Sequence, residues 1–164
     1  MNNAKAASRA GFGLSLKGRA LRYLAGREHS RAELERKLGP YEETPGQLAQ
    51  VLDELQAKDF ISEARVVESV VNRRAARFGA SRIRHELLNK GLRAEAVAEA
   101  LVVLKCSEQE RAYEVWRRKF GTSAPDAGGR ARQMRFLLAR GFSADAVQRV
   151  LRDARDAGEA GATY

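Results

Sequence analysis

At 164 residues the chain is long enough for one ordinary domain or a short array, with a core able to fold unaided. With 44% hydrophobic residues, 3 Pro and an abundance of Ala, Leu, Arg and Glu, it favours helices and leaves little β-branched material for a sheet. The single cysteine, Cys106, excludes an internal disulfide, and neither a signal-like start nor a membrane-length apolar run is present, so a soluble cytoplasmic protein without membrane contact is expected. The formal net charge of +9 points to an anionic partner, nucleic acid before an acidic protein surface.

Residues 1–14 lack sustained periodicity and read as a flexible basic leader. Leu16, Ala20, Leu21, Leu24 and Ala25 then fall on one helical face that ends near Gly26. Ser30 with Glu33 forms a capping box for the next helix, where Leu34 and Leu38 stack one turn apart until Gly39-Pro40 stops it. Thr44, with Pro45 and Gln47 behind it, is expected to cap a third helix buried through Leu48, Val51, Leu52 and Leu55. Ser62 opens the next helix, whose Val66, Val67, Val70 and Val71 lower helix propensity, so packing must hold it. A helix from about Ser81 to Asn89 ends at Gly91, and another carries Val97, Ala100, Leu101 and Leu104.

Ser107 with Glu110 reads as a further capping box before Ala112, Val115, Trp116 and Phe120, and residues 121–129 read as a loop. Met134, Leu137 and Leu138 mark the eighth helix, and Val147, Val150 and Leu151 the ninth, with a flexible tail expected over 157–164.

These nine helices are three copies of one pattern. Leu34, Leu38, Leu48 and Leu52 return 49 positions later as Ile83, Leu87, Val97 and Leu101, and the last three return after 50 more as Leu137, Val147 and Leu151. The loop repeats too, Lys90-Gly91-Leu92 against Arg140-Gly141-Phe142. Gln133 falls opposite Ile83, so Met134 is expected to take over that packing role. The fold class is therefore all-α, with three-helix repeats at 15–58, 59–106 and 107–156 forming an elongated array that suits extended partners better than small substrates.

Catalytic and metal patterns are missing: there is no HExxH, no paired Cys or His at ligand spacing and no Walker loop, so neither enzyme activity nor a cofactor is expected. His29 and His85 read as hydrogen-bonded or solvated histidines, Cys106 as a small apolar residue at a junction, and Trp116 as core.

Charge carries the functional signal. Residues 31–61 hold 4 cations and 7 acids, whereas 73–93 hold Arg73, Arg74, Arg77, Arg82, Arg84, Lys90 and Arg93 against Glu86 alone. A second cationic group contains Arg117, Arg118, Lys119, Arg132 and Arg135, with acids interspersed. Arginine forks suit phosphates and carboxylates alike, so these twelve residues are the candidate anion-binding set without fixing which anion they meet.

The run from Arg27 to Leu34, then Phe60-Ile61-Ser62-Glu63, then Arg73 and Arg74 followed by Gly79, Arg82-Ile83, Glu86-Leu87 and Lys90-Gly91-Leu92, resembles the bacterial regulatory RecX family over about residues 15–155. Two departures are Ser62, where Asp or Asn is usual, and Val66, where an aromatic is usual. The resemblance implies a curved array of three tandem repeats lying in the groove of the RecA filament on single-stranded DNA. It implies modulation, usually inhibition, of RecA ATPase, strand exchange and co-protease activity. From the repeats and the arginines, a monomer whose own DNA contact is weak or indirect is expected. Charge alone also supports a second reading, a sequence-nonspecific nucleic-acid-binding module acting without RecA.

Overall fold

The computed structural model describes residues 13–161, so leader residues 1–12 and tail residues 162–164 lie outside the described part. Among the described residues there are nine α-helices and no strand. They are α1 (Leu16–Gly26), α2 (Arg31–Leu38), α3 (Gln47–Ala57), α4 (Glu63–Arg74), α5 (Ala80–Asn89), α6 (Ala94–Cys106), α7 (Glu108–Lys119), α8 (Ala127–Ala139) and α9 (Ala144–Gly161).

The first three helices close over Leu16, Ala20, Leu34, Leu38, Leu48, Leu52, Leu55 and Ile61. At ~1.5–3 kcal/mol for each large aliphatic side chain fully withdrawn from water, this cluster holds together helices too short to persist alone. Both halves of the Ser30–Glu33 capping box form. Thr44 does not cap α3. Gly46, in the left-handed region at φ 86°, starts that helix, and the Glu42 carboxylate accepts the Leu48 amide at 3.0 Å, supplying the acceptor expected of a hydroxyl.

Helices α4 to α6 share a core of Val66, Val70, Ile83, Leu87, Leu92, Val97 and Leu104; packing thus sustains the valine-rich α4. Helices α7 to α9 share another, with Ala112, Trp116, Leu137, Phe142, Val147 and Val150. The matched loops behave alike. Gly91 and Gly141 take φ of 74° and 83°, turning Leu92 and Phe142 back into their respective cores. The molecule divides into two compact units, 1–62 and 63–164, so the second and third three-helix groups share one unit.

Five further local expectations are corrected. The Ser107 box does not form: the Ser107 hydroxyl donates to the Leu104 carbonyl and accepts from Arg111 Nε instead. Gln133, not Met134, fills the buried position of the third core, because its amide accepts from Trp116 Nε1 at 3.2 Å and donates to the Thr122 carbonyl at 2.9 Å. Cys106 is exposed at the end of α6 instead of packed. The last helix runs on to Gly161, past Asp156, with Ala157, Glu159 and Ala160 favouring helix against Gly158 and an Arg155–Glu159 pair one turn apart; likewise α8 begins at Ala127, inside the expected loop, because Asp126 caps it.

Candidate nucleic-acid and partner interface

The cationic stretch from 73 onward begins where α4 ends, in a short loop that is held by α7 and by the α8–α9 loop. Backbone meets backbone here: the Gly79 amide donates to the Arg140 carbonyl at 2.9 Å, and the Ser81 amide to the Gly141 carbonyl at 3.3 Å. The approach is so close that a Cβ on Gly79 would stand 2.1 Å from the Gly141 oxygen, with other backbone atoms at 2.2 and 2.3 Å. Only glycine fits there.

Charged side chains complete the joint. The buried Glu108 carboxylate accepts the Ala80 amide at 2.9 Å, placing an acid at the N-terminus of α5, where the helix dipole favours it. From the same end of α7, half-buried Arg111 donates to the carbonyls of Ala75, Phe78 and Leu104 at 2.7–2.9 Å. Burial pulls its pKa below the ordinary guanidinium value, partly offset by the charge on Glu108. Arg118 reaches across as well, donating to the Ala76 carbonyl at 2.7 Å. The loop 75–79 is thus pinned from beneath by two arginines of α7.

Above this joint the guanidinium groups of Arg74, Arg77 and Arg82 surround the Phe78 ring, at 5.7, 5.6 and 4.4 Å from its centre. Such stacking orients planar cations without neutralising them, leaving their N–H edges for an anion. Only Arg74 has a carboxylate partner among the three, Glu86 at 2.9 Å. Arg73 is exposed one helical turn beyond Ser69, whose carbonyl it meets at 3.1 Å. Arg82 also donates to the Ala139 carbonyl of α8 at 3.5 Å, and Arg135 is exposed on that helix.

The remaining sequence candidates are dispersed. Arg84 is exposed on α5 beside a shallow cleft of about 270 Å3 that it shares with Lys105 and Glu108, Lys90 follows α5, and Lys119 and Arg132 are exposed on α7 and α8. Arg93 is locked to Glu63 through both its backbone amide and its Nε, at 3.2 and 2.7 Å, which raises its pKa. Arg117 is likewise paired with Glu114 at 2.9 Å.

Sequence reasoning missed Arg111 and Glu108 as the fasteners of the face, since nothing local marks a surface-looking charge as buried. It also missed a cationic group in the first three helices, Arg19, Arg22, Arg27 and Lys37, because Lys37 lies in the net-acidic stretch 31–61 and nothing in a linear charge count brings it to the arginines of α1 and the loop after it. No described helix is long and apolar enough to cross a membrane.

Comparison with known proteins now adds identity to geometry. The first, second and third three-helix domains of RecX match residues 17–55, 62–101 and 107–151. A protein of Leptothrix cholodnii named Regulatory protein RecX is 60% identical over 139 residues, covering 85% of this chain and 88% of its own length. One of the same name from Herminiimonas arsenicoxydans is 55% identical, covering 85% of this chain and 92% of its own. Among solved structures, RecX from Lactobacillus salivarius superposes with a TM-score of 0.73 at 20% identity, over 85% of this chain and 94% of that one, which concerns the fold alone.

Proposed function

The chain belongs to the RecX family, and from that premise we propose that it is a monomeric regulator that lies in the groove of the RecA filament on single-stranded DNA and inhibits RecA's ATPase, strand exchange and co-protease activity. Its relatives carry the name of regulatory proteins, which agrees with a role exerted through binding.

One observation supports this most: three arginines arranged around Phe78 stand on a joint that joins the second and third domains by backbone contact. A charged face on a flexible chain would lose affinity to ordering. Here the ordering is built in, so several cations can meet a repeating anionic surface in fixed register. A rigid unit that touches neighbouring subunits in one conformation favours that conformation, and the subunit movements of ATP turnover are resisted. Direct contact with DNA is weak, sequence-indifferent and salt-sensitive, since a handful of arginines neutralise phosphates without reading bases.

The experiment is binding of the fluorescently labelled protein to preassembled RecA filaments and, separately, to the same single-stranded DNA without RecA, at one salt concentration. Much tighter binding to the filament is expected. Equal affinity for bare DNA would instead select the nonspecific nucleic-acid module acting without RecA.

A further inference from the structure

The first three-helix domain carries a cleft of about 600 Å3. The end of α1, the loop after it and the end of α2 build it, with Tyr41 at the rim. Four permanent cations line it, Arg19, Arg22, Arg27 and Lys37, and no carboxylate does. Three acids of this domain are engaged away from the cleft: Glu35 and Asp53 hold Arg31, and Glu54 holds Lys17 and Lys58. Glu33 reaches Arg27 from behind the cleft, binding it at 3.0 Å while it completes the α2 capping box. Among the described residues Arg19, Arg22 and Lys37 have no carboxylate partner.

Two tyrosines stand among these cations. Arg19 lies 4.0 Å from the centre of the Tyr41 ring, and Lys37 Nζ 4.7 Å from that of Tyr23. The Tyr23 ring is backed by the buried His29, 5.6 Å away, whose Nδ1 is fixed by the Arg27 carbonyl at 3.0 Å. Tyr41 is 46% exposed, so a flat ligand can reach it.

We propose that this cleft binds a nucleotide, with its phosphate on Arg22, Arg27 and Lys37 and its base against Tyr41. Uncompensated cations in a concave site attract an anion, and exposed aromatic surface on the same wall selects one that carries a planar ring. Inorganic phosphate would leave the tyrosines unused. The volume lies in the range of ligand-sized sites. The nucleotide is either free or one unit of a single strand, and both present the same phosphate and base. This site lies in a different domain from the arginines around Phe78 and its test contains no RecA, so either proposal can fail alone.

The test uses the full-length protein and two photoreactive probes, a short oligo(dT) carrying 5-iodouracil and free 5-iodo-deoxyuridine triphosphate, with adducts mapped by mass spectrometry. Adducts at Tyr41 or Tyr23 are expected from at least one probe, and the more effective one identifies the source. With that probe, Arg22→Ala with Lys37→Ala should weaken binding about tenfold and make the logarithmic salt dependence shallower by about 1.4, at ~0.7 per phosphate contact on a single strand. Tyr41→Ala should weaken it about tenfold at unchanged salt dependence, and Tyr41→Phe should restore it. Adducts confined to residues outside the cleft would overturn the site. So would a Tyr41→Ala variant of full affinity beside a weakened arginine–lysine variant, the mark of a plain anion patch suited to an acidic protein. Unchanged helical circular dichroism shows that each variant is folded.

Discussion

Replacing Gly79 by Ala tests whether the second and third domains are rigidly joined. The new methyl would stand 2.1 Å from the Gly141 oxygen and 2.3 Å from the Phe142 nitrogen, and neither backbone atom can turn aside, so the joint must open. Opening breaks the Gly79–Arg140 and Ser81–Gly141 hydrogen bonds, at about 1 kcal/mol each, and parts buried Glu108 from the Ala80 amide, at about 1–3 kcal/mol more. Ala stiffens the unfolded chain, which returns ~0.5–1 kcal/mol, so a net loss near 3 kcal/mol is expected. Trp116, buried in the third core, is the only tryptophan and reports unfolding of this unit by its fluorescence. With a slope of ~1–3 kcal/mol per molar urea, the midpoint should fall by about 1–3 M. Gly158→Ala is the control: it has open space around it in α9 and should stabilise by ~0.5–1 kcal/mol. A Gly79→Ala protein with the wild-type midpoint would show that the close approach does not hold the unit together.

Replacing Arg73, Arg74 and Arg77 by Ala should weaken filament binding about a hundredfold, at roughly 1 kcal/mol per lost charged contact, with folding intact. The matched triple of Arg149, Arg152 and Arg155 should matter far less, since Arg149 and Arg155 already face Asp145 and Glu159; equal losses would place the partner surface elsewhere. Gln133→Leu should destabilise the protein by about 1–3 kcal/mol although it adds apolar volume, because it strands the Trp116 N–H in the core, and an unchanged urea midpoint would contradict that bond. Burial holds the His29 pKa below 6.5, aided by the charges of Arg27 and Lys37 and opposed by the Arg27 carbonyl and Glu33. Its unfolded form therefore takes up a proton that the folded form refuses, so this contribution is complete above pH 6.5 and is lost as pH falls from there. An imidazole NMR titration midpoint at or above 6.5 would contradict the burial.

Much of this molecule is legible in its sequence because helix periodicity and local caps depend on near neighbours. Leu34, Leu52, Ile83, Leu87, Leu137 and Val147 are all buried as their spacing requires, and the Ser30–Glu33 box forms within four residues. What escaped detection depends on distant partners. Ser107 carries a capping signature, yet Arg111 takes its hydroxyl, and Gln133 looks like a break in an apolar stripe until Trp116 supplies the bond that makes it a core residue. Gly79 and Gly141 are 62 positions apart, and no local rule says that they meet. Counting charge along the chain located the arginines around Phe78, since they are contiguous. It missed the tyrosine-lined cleft because charge balance along a segment says nothing of which face each side chain occupies.

The most direct measurement is ATP hydrolysis by RecA filaments on single-stranded DNA while this protein is titrated in. A RecX-family regulator acting in the filament groove should suppress turnover at fewer than one molecule per RecA subunit and show no nucleotide hydrolysis of its own. Unchanged turnover across a wide titration, with the added protein shown to be folded by circular dichroism, would contradict regulation of the filament.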